Sequence, residues 1–396
     1  MAGKVQKAKS DSHKSSLPLT PEQVFRLDNV MKHGTPPKAL QSLKSTNSFT
    51  FIDAPGDLKL EKLIRKVSLT GEMTAFQIEN KYGYVRGLPV QEYIRQNPGV
   101  RVEAPTLPLP PPEPPFYAEW ADRIYHPKLS PRITRSVMRR KDGSRLYPHG
   151  YIWGTDVRQA FFPSGYPWQC IGRLDVYTDP SSFIPSGFGT GTLVGPNTVI
   201  TASHVVPWGA NPAMIQFTPG YFNGVSVAGA GVTSYVEASS SYDTNSPPAP
   251  AFDFAVLKLQ DRLGDSLGWL GARAYDDSWN DQNVWTLVGY PGLIANAEQP
   301  SFQGGISFHD DDEDSNDSGD AMELETQDGD SSPGDSGGPY LAEWPDGPYV
   351  VAVDVGGEAE FSFNPFAPWP FEDDNNVASA GPAFLQLIKW ARANWD

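Results

Sequence analysis

Residues 334–339 read Gly-Asp-Ser-Gly-Gly-Pro, and two fragments stand ahead of them, Thr201-Ala202-Ser203-His204 and Phe252-Asp253-Phe254-Ala255-Val256-Leu257-Lys258-Leu259. Together they constrain the fold most, because three distant points of the chain must meet. A serine hydroxyl is a poor nucleophile until an imidazole takes its proton, and the imidazole needs a buried carboxylate to fix its tautomer and steady its charged form. Ser336, His204 and Asp253 supply the three parts in the chain order His, Asp, Ser, with gaps of 49 and 83 residues. The glycines beside Ser336 permit a turn in which the backbone N–H groups of Gly334 and Ser336 converge on a developing oxyanion. Each fragment alone has a plainer reading: a Gly-rich turn, a structural histidine, a turn or capping aspartate. Order and spacing together favour catalysis.

The set resembles the trypsin/chymotrypsin clan of serine endopeptidases, and within it the disulfide-poor branch that includes the glutamyl endopeptidases. The resemblance covers about residues 150 to 396. It extends to Gly189-Thr190-Gly191-Thr192-Leu193-Val194-Gly195 ahead of Val199-Ile200-Thr201-Ala202, and to Phe384-Leu385-Gln386-Leu387-Ile388-Lys389-Trp390, whose apolar residues recur at helical spacing. It implies an all-β fold of two six-stranded antiparallel β-barrels, chymotrypsin-like, with a C-terminal helix packed on the second barrel. A mixed, partly disordered N-terminal region would precede them. It also implies protein or peptide substrates, an acyl-enzyme intermediate and no metal or organic cofactor. The alternative is a non-catalytic binding or scaffold protein that kept the fold, its cleft held closed by the basic N-terminal region. Val205 stands where trypsin-type enzymes carry a cysteine, and Cys170 is the only cysteine in the chain. No intramolecular disulfide can form, so packing must supply the stability. The 37 Gly and 38 Pro suit many short strands and turns.

Charge divides the chain. Residues 1–150 hold 24 Lys+Arg against 14 Asp+Glu, whereas the remainder holds 7 against 33. Opposite signs predict that the two parts attract, as expected of a propeptide, residues 1–145, that masks a protease domain, residues 146–396. The other reading is a basic tail for an anionic partner, but no aromatic or groove-reading motif points to nucleic acid. Residues 1–19 are polar and Lys/Ser-rich, a composition of disorder. Thr20-Pro21-Glu22-Gln23 predicts a short helix to about Lys32, capped by Thr20 with Gln23 reaching back. Residues 107–115 are proline-dense and predict a stiff extended linker. Arg135, Arg139-Arg140-Lys141 and Arg145 form a basic cluster open to cleavage, with a solvated charged loop as the plainer reading.

Ile152-Trp153-Gly154 resembles the start of mature trypsin-type enzymes, whose freed amine pairs with the aspartate before the nucleophile, here Asp335. No basic residue directly precedes Ile152, and Tyr151 to Arg158 also resembles the mature N-terminal region of glutamyl endopeptidases. Asp330 stands six residues before Ser336, where trypsin-like enzymes place the carboxylate that recognises Lys or Arg. A solvent-facing turn is the other reading. The strand Val350 to Gly357 lacks the histidine that glutamyl endopeptidases use and carries Asp354 instead. Asp330 and Asp354 in the substrate pocket predict a preference for Lys or Arg, with small or apolar residues second.

Residues 309–325 are strongly acidic. Asp314-Ser315-Asn316-Asp317-Ser318-Gly319-Asp320 with Glu325 follows the spacing of a calcium loop, yet the flanks do not read as paired helices and a mobile solvated loop is the expectation. No apolar stretch near the N-terminus has the length of a signal sequence, and none elsewhere spans a membrane. The family resemblance implies secretion, so localisation is left open.

Overall fold

The computed structural model describes residues 16–27, 63–64, 75–78, 85–88, 111–118, 120–121 and 128–129, and nearly all of 150–396, excepting 153–154, 180–183, 211–212, 246–247, 317–318 and 363–370. The basic cluster from Arg135 to Arg145 lies outside the described residues, as do most of residues 1–110.

Before residue 150 stand α1 (Pro21–Leu27), β1 (Leu63–Ile64), β2 (Ala75–Ile78), β3 (Val85–Leu88) and β4 (Lys128–Leu129). The α1 cap forms as its sequence predicts: Thr20 N–H donates to Gln23 Oε1 at 2.8 Å, and Gln23 N–H to Thr20 Oγ1 at 3.4 Å. Such reciprocal bonds satisfy donors that the first helical turn leaves orphaned.

After residue 150, β5 (Gln159–Phe162) leads into β6 (Ile171–Tyr177), β7 (Gly187–Leu193), β8 (Thr198–Thr201) and β9 (Met214–Pro219). A small hairpin, β10 (Tyr221–Phe222) and β11 (Val225–Ser226), precedes β12 (Ser234–Ser241) and β13 (Ala255–Leu259). The pairing order β12-β13-β8-β7-β6-β9 returns to β12 through Ser234 opposite Phe217 and Tyr235 opposite Gln216. Six strands therefore close into a barrel. Alternation along each strand fills it: in β6, Gly172, Leu174 and Val176 share one face while Arg173 and Asp175 share the other. Leu174, Val199, Ile215, Phe217, Val236 and Leu257 are among the fully buried side chains of this core.

A second sheet follows, with β14 (Gly271–Ala272), β15 (Trp285–Gly289), β16 (Ser301–Ile306), β17 (Asp310–Asn316), β18 (Gly319–Thr326), β19 (Pro339–Trp344), β20 (Gly347–Ser362) and β21 (Phe371–Ala380). Its order is β17-β18-β21-β20-β19-β15-β16-β5-β4, with β14 beside β20. This ladder is open among the described residues, so one of the two expected barrels is closed by strand pairing. Gln303 on β16 accepts from Asp330 N–H at 2.8 Å and donates to the Asp328 carbonyl, tying β16 to the segment that follows β18. The interior is aromatic, with Tyr275, Trp279, Trp285, Phe308, Tyr340 and Trp344 all buried.

The acidic stretch is not a loop. β17 and β18 pair in register from Asp310 opposite Glu325 to Asn316 opposite Gly319. Asp317 and Ser318 of the candidate calcium loop lie outside the described residues.

The closing helix α2 (Pro382–Trp395) buries Phe384, Leu385, Leu387, Ile388 and Ala391. It packs against Ile200 and Val256 of the barrel as well as Val350 and Val353 of the second sheet. It thus joins both sheets, where the sequence resemblance implied the second alone.

Residues 111–118 lie extended along the domain. Glu113 and Ala272 exchange backbone bonds of 2.9 Å, and Phe116 N–H donates to the Trp269 carbonyl at 3.1 Å. The ion pairs here oppose the expected polarity. Glu113, from the basic part of the chain, binds Arg392 at 2.9 Å and Lys389 at 3.8 Å, two cations of the acidic part.

Candidate active site

His204 sits in a single 3₁₀ turn, Ser203–Val205, directly after β8. Ser203 Oγ donates to the Asp243 carbonyl at 2.6 Å, and the Trp208 indole N–H donates to the Ser203 carbonyl at 2.8 Å, anchoring the turn. Asp253 follows another 3₁₀ turn, Pro250–Phe252, immediately before β13. Because β8 and β13 are paired neighbours, the two turns emerge side by side. Asp253 then grips His204 twice: Oδ1 accepts from the backbone N–H at 2.9 Å and Oδ2 meets ring Nδ1 at 2.6 Å. Asp253 is 3% exposed. That arrangement fixes the ring and places a proton on Nδ1, leaving Nε2 as the basic nitrogen.

Ser336 lies in the turn between β18 and β19 and is 7% exposed. Gly334 and Gly337 hold φ of +105° and +81°, a region that side-chain-bearing residues rarely enter. A Cβ on Gly337 would lie 2.1 Å from Thr201 Oγ1 and 2.8 Å from Ala202 N. Close approach at Gly337 therefore brings the Ser336 turn against the segment that leads into His204. No hydrogen bond joins the Ser336 hydroxyl to the His204 ring among the described residues.

The backbone donors of this turn are unequally used. Asp335 N–H goes to the Ser332 carbonyl, Gly337 N–H to the Asp354 carbonyl and Gly338 N–H to the Asp335 carbonyl, at 3.0, 2.8 and 2.6 Å. Those of Gly334 and Ser336 find no protein acceptor among the described residues, although native chains pair nearly all buried donors. Thr190 on β7 holds the turn from behind. Its N–H donates to the Ser336 carbonyl at 2.9 Å and its hydroxyl to the Gly334 carbonyl at 2.8 Å.

Beneath Ser336 lies a buried charge network. Asp335 Oδ2 accepts from Ser332 N–H at 3.0 Å and from Arg158 Nη1. Burial pushes Asp335 up to about 6, against the pull of Arg158. Burial works against the Arg158 charge in turn, but Asp335 and Asp156 outweigh it and hold the guanidinium protonated. Arg158 also binds Asp156 through Nε at 3.0 Å and Nη2 at 2.8 Å.

Asp330 and Asp354 are 1% and 0% exposed, which rules out a solvent-facing turn at Asp330. Asp330 Oδ2 accepts from Val157 N–H at 3.0 Å. Asp354 accepts from Ser331 Oγ at 2.7 Å and Tyr340 OH at 3.3 Å. Burial, then the nearby Asp335 charge, raises the Asp354 carboxyl well above the usual range.

Tyr151 is docked next to them. Its carbonyl accepts from Ser331 N–H at 3.0 Å and Asn376 Nδ2 at 2.8 Å, while its N–H donates to Asn376 Oδ1 at 2.6 Å. Its ring covers Gly357 on β20 so closely that a Cβ there would lie 2.6 Å from two ring carbons.

Sequence reasoning did not single out Arg158, Thr190 or Asn376. The Gly-Thr-Gly-Thr alternation carried a signal for Thr190, since glycines on a strand mark close backbone approach. Arg158 and Asn376 reach the site only through tertiary contacts.

Residues 189–345 match the trypsin-like peptidase domain family. One relative, the extracellular metalloprotease of Bacillus subtilis (strain 168), is 30% identical over 163 residues, 38% of this chain. The match spans 48% of that protein, so the chain covers about half of its relative's length. Among the described residues, no group of three or more His, Cys, Asp or Glu side chains could hold a metal ion. A solved glutamyl endopeptidase is 20% identical with a TM-score of 0.42, covering 58% of this chain and 93% of that one. The similarity to the trypsin-like peptidase domain family spans residues 189–345 of this chain.

Proposed function

We propose that the chain is a serine endopeptidase. Ser336 attacks the peptide carbonyl, His204 accepts its proton and returns it to the leaving amine, and Asp253 orients and steadies the imidazolium. The N–H groups of Gly334 and Ser336 bind the oxyanion. The observation that carries this reading is the double grip of Asp253 on the His204 backbone and ring, beside a turn with two unused N–H donors.

The domain division proposed is residues 1–145 as propeptide and 146–396 as protease domain. Intramolecular inhibition by residues 1–145 draws support from the opposite charges of the two parts, 24 Lys+Arg against 14 Asp+Glu up to residue 150 and 7 against 33 beyond it. Asp330, whose Oδ2 accepts from Val157 N–H, is the carboxylate proposed to meet a Lys or Arg side chain. This supports a preference for those residues before the scissile bond.

Labelling with a fluorophosphonate probe tests the reading, on the full chain and on a form cut near Arg145, with Ser336→Ala as control. Labelling that appears on cutting and vanishes in the variant is expected. Labelling of neither form returns the site to a binding role. Cleavage of a peptide library after Glu, unchanged by Asp330→Ala, overturns the specificity.

A further inference from the structure

We propose that Arg158 is the positioning residue of the nucleophile turn, holding Asp335 inward so that the flanking Gly334 and Ser336 N–H groups face one point. This rests on the serine peptidase reading of the site.

Asp335 is the residue between the two unused donors, so the direction of its side chain sets the peptide planes on either side. The carboxylate is fully buried. One oxygen is held by Ser332 N–H and Arg158. The other has no hydrogen-bond partner and is wedged against Gly289, where an added Cβ would lie 2.2 Å away. Arg158 supplies the compensating positive charge, since Asp156, Asp330 and Asp354 are the other ionisable groups acting on this network.

The cation is itself immobile. It comes from the segment before β5, 177 residues from Asp335 in sequence. Nε and Nη2 form a fork on Asp156, leaving Nη1 for Ser332 Oγ at 2.8 Å and for Asp335. Bidentate anchoring of this kind aims a guanidinium in a way an ammonium cannot reproduce.

Without the cation, an unpaired carboxylate in this setting would be strongly disfavoured, and the side chain would turn outward or take up a proton. Gly334, the residue before Asp335, offers little resistance to such a turn, because its backbone conformation is not confined by a Cβ. The ion pair is thus the lock on the donor geometry. Arg158 touches neither substrate nor Ser336 in this role.

The test compares wild type, Arg158→Met, Arg158→Lys and the double variant Arg158→Met/Asp335→Asn, each as the full chain and cut near Arg145. Peptide kcat and KM and the fluorophosphonate labelling rate are read beside melting temperature. Loss of donor alignment predicts a kcat about 100-fold lower for Arg158→Met, with KM little changed. Arg158→Lys should fall between it and wild type. The double variant removes the buried charge imbalance and so guards against misfolding; its kcat should stay low. A folded Arg158→Met with wild-type kcat, a loss confined to KM, or recovery in the double variant overturns the role of Arg158 alone. A wild type that labels in neither form overturns the peptidase reading with it.

Discussion

Asp253 accepts from two donors of His204, and the two bonds have separate consequences. The backbone bond holds the turn; the ring bond selects the tautomer. Asp253→Asn keeps an oxygen for the backbone N–H but favours the wrong ring tautomer, so kcat should fall by about 10⁴-fold with a near-wild-type melting temperature. A thermal melt beside steady-state kinetics separates the two. Asp354 carries a different lesson. Its pKa is raised on folding, so the folded state binds this proton more tightly than the unfolded chain, and its contribution to stability weakens as pH rises past the ordinary carboxylate value. The charges facing it are Asp335 and, more weakly, Arg158. Asp354→Asn should therefore melt above wild type near neutral pH, with the difference closing toward pH 4. Melting temperatures across that range check the sign.

At the scale of elements, β7 connects the barrel to the nucleophile turn through one residue. Thr190 Oγ1 donates to the Gly334 carbonyl and accepts from Tyr290 N–H at 3.0 Å, while Thr201 Oγ1 donates to the Thr190 carbonyl at 2.7 Å. Thr190→Val retains shape and β propensity but strands both hydroxyl partners. A loss of about 1–3 kcal/mol in unfolding free energy is expected, measured by denaturant titration. Labelling of Ser336 should slow with it. Such elements also show what a sequence discloses. The glycines around Ser336 and the capping pair at Thr20 and Gln23 were legible because their constraints act between near neighbours. The hairpin of β17 and β18 was not: its acidic residues match a calcium loop locally, and their strand pairing is set by tertiary context. The same holds for Arg158, which is unremarkable in sequence and acquires meaning only opposite Asp335. The open second sheet is a further case, since its strand order is set by pairings between distant segments that no spacing rule anticipates.

Across the whole molecule, charge is the dominant asymmetry. All seven Lys and Arg residues after position 150 are engaged in ion pairs, from buried Arg158 and Arg173 to Lys258, Arg262, Arg273, Lys389 and Arg392. Most of the 33 acidic residues there consequently act as an unbalanced field. Cationic peptides should be drawn toward the domain, and kcat/KM for a Lys/Arg-rich substrate should fall with added salt more steeply than for a neutral one. Parallel salt titrations of two peptides check this. The barrel carries a second asymmetry. β12 meets β9 at two residue pairs, whereas β12 meets β13 at five and β6 meets β9 at six. The ring is thus a bracelet with two short links, this one between strands distant in sequence and the other in the β7–β8 hairpin, which also pairs at two residues. Under mild denaturant the amides of Ser234 and Tyr235 should exchange with deuterium ahead of their neighbours in β13, marking where the bracelet opens first.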